Sequence, residues 1–359
     1  MDLLHSSACR FPTSHFLHLH RPSPPLRRLG FTVRSSLPFP DQNAKYHREL
    51  RAAVDVVERA CRICVDVKKY LLTGDRRILE KNDQTPVTVA DFGVQALISL
   101  ELSKLFPSIP LVAEEDSASL RSNNLVTSVV NTVTDKTSFR EKQLTEADVL
   151  EAIDRGGKDA FSFGPMPATY WILDPIDGTR GFVRGGDALY VEDNSSKSTK
   201  EALESAHTLS ESGIIMVSHI GCGTWTKQLS DGQTWDSLPL STSFDATTDA
   251  ESINDKLVLL LPACCGSLCK YLMVACGRAS VFILRKRAQT IVQAWDHAVG
   301  MICVHEAGGK VTDWRGSQLD LAADQVDRRF IYPSGGVLVA NSSLHSKLLE
   351  LISSSSSVV

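Results

Sequence analysis

The chain has 359 residues, of which 43% are hydrophobic and 22% are charged, and its formal net charge is −4. This is the composition of a globular protein that is long enough for two domains with cores of their own. Because the net charge is close to zero, we do not expect a nucleic-acid partner. We also expect no membrane partner, since no apolar run approaches the roughly 18 residues that cross a bilayer.

The nine cysteines are an odd number spread along a long chain, which indicates a reducing compartment rather than a disulfide scaffold. Cys61 and Cys64 form a CxxC pair inside a helical pattern, with no second pair at zinc-finger spacing. We interpret both as packing residues of a helix, and redox or zinc chemistry is the weaker alternative.

Residues 1–45 are predicted to be a transit peptide or a disordered segment. The first 40 residues contain five arginines, six serines and six prolines, but a single acid, Asp2. A leader rich in arginine and serine and poor in acids is typical of import into an organelle, here the mitochondrion or a plastid. A disordered tail without a targeting role is the alternative.

The following elements alternate between helix and strand. An amphipathic pattern predicts a helix over residues 46–72, and a second helix follows the β-prone residues 85–90. Apolar residues at 109–113 and at 170–173 predict two buried strands. The polar stretch between them, 117–168, is expected to be mostly irregular.

The second half of the chain continues this alternation, which indicates a mixed α/β (α+β) protein. We expect the chain after residue 45 to form two domains, an N-terminal α+β metal-binding domain at residues 46–240 and a C-terminal α/β domain at residues 241–355. The remaining predicted elements are helices near 146–153 and at 296–306, and strands at 214–217, 257–261, 281–284 and 337–340.

Acids follow both of the predicted buried strands in the first half. Glu114 and Glu115 follow the first strand, and Asp174 and Asp177 follow the second. Strand ends in layered α/β folds open onto ligand-binding crevices, and acids gathered there repel one another unless cations neutralise them. Carboxylate oxygens favour hard cations such as Mg²⁺, Ca²⁺ or Mn²⁺ over zinc.

The string DPIDGT, from Asp174 to Thr179, adds geometry to this site. Pro175 stiffens the chain and Gly178 permits a tight turn, so that Asp174 and Asp177 converge on one metal. Thr179 then places a hydroxyl beside that metal, and a helix starting here would direct free N–H groups at a phosphate. An Asx-type turn that caps a helix is the alternative.

Asp91 and Asp296 each stand at the start of a predicted helix. An N-cap that stabilises the helix by about 1 kcal/mol is the plain interpretation of either residue taken alone. His297 follows Asp296 and is a candidate base or ligand, although a structural histidine is favoured.

Four segments together resemble the inositol monophosphatase superfamily, and the match runs from about residue 46 to residue 350. The resemblance implies a layered αβαβα sugar-phosphatase fold, dependence on Mg²⁺ and inhibition by Li⁺. The segments are Thr85–Asp91 (TPVTVAD), Val112–Glu115 (VAEE), Trp171–Thr179 (WILDPIDGT) and Trp295–Gly300 (WDHAVG), followed by EAGG at 306–309.

Within the superfamily the chain is most similar to the 3′(2′),5′-bisphosphate nucleotidases, especially the organellar forms of plants. The similarity lies in Gly178–Gly185 (GTRGFVRG) and Ser267–Tyr271 (SLCKY). It implies hydrolysis of a phosphorylated small molecule, 3′-phosphoadenosine 5′-phosphate, to AMP and phosphate. The alternatives are an inositol phosphate phosphatase and a non-catalytic or inactive form that binds the nucleotide.

The resemblance also implies a set of metal ligands. The backbone carbonyl of Ile176 is expected to join four carboxylates around the metal, and Glu115 is a weaker candidate. The four carboxylates are those of Glu114, Asp174, Asp177 and Asp296.

Catalytic and substrate-binding roles follow from the same resemblance. Asp91 and Thr179 are expected to orient and deprotonate the attacking water. Ordinary solvated charges are the alternative for two of the predicted substrate contacts, Lys270 and Arg285. The full set of predicted substrate contacts is Thr179, Ser267, Lys270, Arg285 and Asp296.

The middle of the chain departs from the pattern of the family. Residues 188–191 (ALYV) are followed by EDNSSK, which is too polar for a central strand, and 192–212 is expected to be a loop or an insert. One or two strands are therefore expected to be missing, which would leave unpaired sheet edges. Such a chain is expected to fold poorly or to be inactive even though its acids remain.

Overall fold

A long apolar helix, α2 (Val89–Leu105), forms the centre of the N-terminal half. The computed structural model describes residues 37–72, 78–80, 86–122, 125–138, 144–179, 213–229, 234–238, 266–286 and 291–355. The side chains of α2 are buried from Val89 to Leu102, because apolar residues occur on every face of this helix and each face has a neighbour.

Four further helices surround or adjoin α2. The predicted helix at 46–72 is confirmed as α1 (His47–Leu72), and the predicted helix near 146–153 is confirmed as α5 (Glu146–Asp154). A capping box between Thr145 and Asp148 begins α5 and satisfies its first N–H groups. The four helices are α1 (His47–Leu72), α3 (Ser117–Ser122), α4 (Val126–Lys136) and α5 (Glu146–Asp154).

The expectation that residues 117–168 are mostly irregular was wrong for α3 and α4. The sequence of α4, VTSVVNTVTDK, is rich in β-branched residues, which have low helix propensity. The helix is stabilised by packing, since Val129 and Val133 are completely buried in the same core as Phe92, Leu97 and Ile153.

Three small sheets follow one another in the N-terminal half. The strands β1 (Ile78–Glu80) and β2 (Pro86–Thr88) are antiparallel, whereas β3 (Leu111–Ala113) and β4 (Trp171–Leu173) are parallel, with Leu111 opposite Trp171. Because β3 and β4 run in the same direction, the acids that follow them leave the sheet at the same edge. An antiparallel meander comprises β5 (Ile214–His219), β6 (Gly223–Gln228) and β7 (Asp236–Ser237).

The C-terminal part combines helices with antiparallel strands. Its elements are α6 (Ser267–Ala275), β8 (Val281–Arg285), β9 (Val292–Gln293), α7 (Trp295–Glu306), β10 (Gly309–Asp313), β11 (Phe330–Ile331), β12 (Gly336–Asn341) and α8 (Ser342–Ser355). The strands β10, β12 and β8 form one sheet in that order, and β11 pairs with β9.

The core of this part lies between its sheet and its helices. Tyr271 and Val304 from α6 and α7 pack with Val337 and Val339 of the central strand β12. Residues 337–340 are completely buried, as the predicted strand there requires. The strands predicted at 214–217 and 281–284 are likewise confirmed as β5 and β8.

The described elements confirm a mixed α/β protein in which layers of helix and sheet alternate. Several predictions fall outside the described residues: the strand at 257–261, the insert at 192–212, the domain boundary at 240, and residues 1–36 of the predicted leader 1–45. The two-domain division and the missing strands therefore stay predictions. None of the helices in the described part combines the length and the apolarity that a membrane crossing requires.

Candidate metal-binding site

Three aspartates from two distant segments meet in the structure. Carboxylate oxygens of Asp174, Asp177 and Asp296 all lie within 4.8 Å of one another. Asp174 and Asp177 follow β4 in the chain, and Asp296 lies in the first turn of α7. The structure thus brings together three of the predicted metal ligands, of which Asp296 lies more than a hundred residues after the other two in sequence.

Asp174 is buried beside the other acids of this region. Burial, followed by the charges of Glu114, Asp177, Asp296 and Asp91 in that order, raises the pKa of Asp174 to about 10. Glu114 and Asp91 are therefore close enough to the cluster to act on Asp174 electrostatically.

The surroundings of Asp174 fit a hard divalent cation. Its Oδ1 atom is buried and has no hydrogen-bond partner among the residues that the structure describes. A buried carboxylate oxygen without a partner costs free energy, and several carboxylates packed together cost more. A cation bound by oxygen ligands removes both costs, and carboxylates in this number suit Mg²⁺.

Asp177 is held in place by the first turn of α6. Its Oδ1 accepts a hydrogen bond from the backbone N–H of Ser267 at 2.9 Å, and its Oδ2 accepts one from Cys269 at 3.2 Å. Burial raises the pKa of Asp177, while these N–H groups and Lys270 oppose that rise. Gly178, at a φ of 77°, makes the turn that carries the chain past this carboxylate.

The other residues of the DPIDGT string are close by. The Thr179 hydroxyl donates a hydrogen bond to the carbonyl oxygen of Ile176 at 3.2 Å, and the Thr179 side chain is buried. The carbonyl of Ile176, a predicted metal ligand, is thus oriented by a group inside the same turn.

The N-cap interpretations of Asp91 and Asp296 were wrong. Helix α2 begins at Val89, so Asp91 lies inside its first turn, and α7 begins at Trp295 with Ala294 as its N-cap residue. Both carboxylates are favourable near the positive end of a helix dipole, but neither is the capping residue. The charges of both carboxylates raise the pKa of Asp174, so both act on the acid cluster.

Two residues that position the acids were not found from the sequence. The buried amide of Gln95 donates to the carbonyls of Glu115 and Ile153 at 2.7 and 2.8 Å, and accepts from the N–H of Glu115 at 2.9 Å. It fixes the chain directly after β3, beside Glu114. No signal in the sequence distinguishes this glutamine, because its partners lie on other elements.

Arg329 is the second positioning residue that was missed. Its guanidinium donates to the carbonyls of Ala113 and Gly156 at 2.8 and 3.1 Å, and lies 4.7 Å from the ring centroid of Trp295. Ala113 precedes Glu114 and Trp295 precedes Asp296, so one side chain contacts the neighbours of two predicted ligands.

The predicted substrate contacts have different environments. Lys270 is 7% exposed, with its Nζ 5.6 Å from the ring centroid of Phe282, which argues against an ordinary solvated charge. Arg285 is exposed at the end of β8. Ser267 is the first residue of α6, and its backbone N–H is used by Asp177.

His297 and the CxxC pair support their structural interpretations. Nδ1 of His297 lies 2.8 Å from the Tyr271 hydroxyl, and burial lowers the pKa of this histidine to about 4, so the ring is neutral at pH 7. Cys61 and Cys64 are free and partly buried in α1. Burial raises the pKa of both thiols, so they are poor nucleophiles.

Comparison with known proteins decides the family. The sequence pattern of the inositol monophosphatase family matches residues 45–191 and 231–357, which is more than half of the chain. The chain belongs to the inositol monophosphatase family. The first matched range contains Asp174 and Asp177, and the second contains Asp296. Residues 192–230 are outside the match.

Curated relatives of this inositol monophosphatase family member cover almost its whole length. A protein of Arabidopsis thaliana with the provisional name mitochondrial 3′(2′),5′-bisphosphate nucleotidase is 54% identical, and the match covers 98% of each chain. A 3′(2′),5′-bisphosphate nucleotidase of Oryza sativa is 32% identical over 86% of this chain and 94% of its own.

The alignment with the Arabidopsis relative also bears on the middle of the chain. It spans 389 positions, which is more than the 359 residues of this chain. Part of the relative therefore has no counterpart here. This agrees with the expected loss of strands, although the alignment length does not locate the gap.

Proposed function

We propose that the chain is a Mg²⁺-dependent phosphatase of 3′(2′),5′-bisphosphate nucleotides that converts 3′-phosphoadenosine 5′-phosphate to AMP and phosphate. The observation that carries the proposal is the meeting of Asp174, Asp177 and Asp296 within 4.8 Å. The names of the relatives that match most of the chain support the choice of substrate.

The cation would be held by the carboxylates of the cluster. Asp174, Asp177 and Asp296 are the side-chain ligands that the geometry supports, with Glu114 and the carbonyl of Ile176 completing the set. A bound Mg²⁺ lowers the pKa of water and neutralises charge on the oxygens of an in-line displacement.

Asp91 and Thr179 are proposed to orient and deprotonate the attacking water. The Thr179 hydroxyl donates its hydrogen bond to the carbonyl oxygen of Ile176, so the hydroxyl oxygen can accept a hydrogen bond from the water. The water oxygen would form the new bond to phosphorus as one of its protons passes to Asp91, the P–O ester bond would break, and the leaving oxygen would take a proton from solvent water. The products are a nucleotide hydroxyl and inorganic phosphate.

The substrate is proposed to lie between the acid cluster and the start of α6. Ser267 and Lys270 would contact its phosphate groups, and Arg285 would contact the phosphate or the base. Thr179 and Asp296 reach the substrate from the metal side. Burial restricts the side chain of Lys270, and its positive charge suits a substrate with two phosphates.

Phosphate release from a panel of substrates tests the proposal. We expect Mg²⁺-dependent release from 3′-phosphoadenosine 5′-phosphate, and kcat/KM on inositol phosphates separates a nucleotidase from an inositol phosphate phosphatase. Asp174→Asn removes one ligand and is expected to lower kcat by about a thousandfold. Asp159→Asn, at an exposed position, is the matched control. No release by well-folded wild-type protein in Mg²⁺ would end the proposal.

A second candidate is a family member that binds the nucleotide without turnover. It is favoured by residues 192–230, which the family pattern does not match. Calorimetry would then detect nucleotide binding by protein that releases no phosphate. A sharp, cooperative melting transition would rule out poor folding as the cause of inactivity.

The mitochondrion is the proposed location. The name of the Arabidopsis relative includes that compartment, and the first 40 residues have the composition of an import leader. Residues 1–45 fused to a fluorescent protein are expected to enter mitochondria. Import into plastids, or retention in the cytosol, would contradict the proposal.

A further inference from the structure

Helices α6 and α7 both contribute to the acid cluster. Helix α6 binds the Asp177 carboxylate through the N–H groups of Ser267 and Cys269, and α7 carries Asp296 in its first turn. The position of α6 relative to α7 therefore sets the separation of two proposed metal ligands.

A buried pair of side chains joins these two helices. The Tyr271 hydroxyl of α6 lies 2.8 Å from Nδ1 of His297 in α7, and the two side chains are 0% and 1% exposed. Their rings meet edge to face, with centroids 5.6 Å apart and an interplanar angle of 84°. His297 directly follows Asp296, so this contact is one residue away from a proposed ligand.

The ring of Tyr271 is also seated against the backbone of α7. A Cβ atom on Gly300 would lie 2.3 Å from Cγ of Tyr271, which is closer than any real contact. The ring also meets Phe282 of β8 edge to face, with centroids 5.3 Å apart and an interplanar angle of 77°. Tyr271 is thus completely buried and packed against both α7 and β8.

We propose that Tyr271 is a positioning residue of the metal site. Through His297 and Gly300 it holds α6 against α7, so that Asp177 and Asp296 face the same cation. The inference rests on the proposed function, because that function supplies the cation. Partners that orient metal ligands from behind typically change metal affinity by about 10–100-fold, so the hydroxyl has a measurable effect on binding.

The test compares Tyr271→Phe with the wild-type protein. Phenylalanine keeps the ring against Gly300 and removes the hydrogen bond. Calorimetric titration of EDTA-treated protein with MgCl₂ or MnCl₂ is expected to show about tenfold weaker binding, and the KM for Mg²⁺ is expected to rise more than kcat falls. Tyr332→Phe, at an exposed tyrosine, is the matched control and should bind the metal like wild type.

Urea unfolding in EDTA separates positioning from general stability. A structural role alone would lower the free energy of unfolding and leave metal affinity unchanged. Folded Tyr271→Phe protein with wild-type metal affinity would overturn the inference and leave the proposed function intact. Wild-type protein that binds neither Mg²⁺ nor Mn²⁺ would overturn both.

Two variants of the partner provide an independent comparison if Tyr271→Phe does not fold. His297→Asn retains a polar group near the position of Nδ1, whereas His297→Leu retains bulk without a hydrogen bond. We expect the asparagine variant to bind Mn²⁺ more tightly than the leucine variant. Equal metal affinity of these two variants would contradict the role of the Tyr271–His297 bond.

Discussion

Gly266 and Asp177 lie so close together that a Cβ atom on Gly266 would be 2.1 Å from Oδ1 of Asp177. The backbone of Gly266 has a φ of −67° and a ψ of 177°, which any residue adopts. The glycine is therefore required by space and not by backbone conformation. Any side chain at this position would occupy the place of the carboxylate.

Gly266→Ala is predicted to lower activity strongly with little effect on folding. The added methyl displaces Asp177 from the N–H groups of α6 and from the acid cluster, and kcat/KM is expected to fall by about a hundredfold or more. Phosphate release and titration with Mg²⁺ measure the effect. Gly164→Ala is the control, since a Cβ there meets nothing within 4 Å. A Gly266→Ala variant with wild-type turnover would show that Asp177 is not a ligand.

Arg329 is predicted to be irreplaceable by lysine. Its guanidinium donates to Ala113 and Gly156 at once while it covers the ring of Trp295. A lysine cannot form this planar, forked contact. We expect Arg329→Lys to lower kcat/KM by about tenfold through displacement of the ligands beside Ala113 and Trp295. Arg315→Lys, at an exposed arginine, should have no effect on steady-state kinetics. Equal kinetics of the two variants would show that Arg329 does not position the acids.

Gln95→Ala is predicted to destabilise the fold and to weaken the site. The substitution leaves the N–H of Glu115 and the carbonyls of Glu115 and Ile153 without their buried partner. The free energy of unfolding should fall by about 2–4 kcal/mol, because each unsatisfied buried group is costly. Urea denaturation measures this loss, with exposed Gln318→Ala as the control. A loss equal to that of the control would mean that water replaces the amide.

The convergence of Asp174 and Asp177 could be predicted from the sequence because its signals are local. Asp174 and Asp177 stand within four residues of one another in a string that also contains the turn glycine, and a short apolar strand precedes them. The proline and the glycine of DPIDGT restrict the backbone locally, so the convergence of the two carboxylates followed from the residue types of this segment.

The residues that hold these acids in place were not predictable in the same way. Asp177 binds the start of α6, some 90 residues further along the chain, and Tyr271 meets His297 across two helices. The sequence around these residues gives no sign that they interact, because they come into contact only when the helices pack. Helix α4 was missed for a related reason, since tertiary contacts of Val129 and Val133 outweigh the low helix propensity of its β-branched residues.

Glu101 is predicted to make stability depend on acid pH. Burial raises the pKa of Glu101, but hydrogen bonds from Arg59 and Ser138 outweigh it and hold the pKa below its ordinary value. A carboxylate whose pKa is lowered in the folded state stabilises the fold above its unfolded pKa of 4.5. That contribution is lost as the pH falls through the folded pKa.

The measurement is urea unfolding between pH 7 and pH 3 for wild-type protein and Glu101→Gln. The variant loses the ion pair of 2.8 Å with Arg59, so at pH 7 its free energy of unfolding should be lower by about 2–3 kcal/mol. The difference between the two proteins should shrink toward acid pH, because Glu101 is then protonated in the wild type as well. Glu350→Gln, at an exposed position in α8, should follow the wild-type curve. A difference that stays constant over this pH range would show that the charge of Glu101 does not stabilise the helical core.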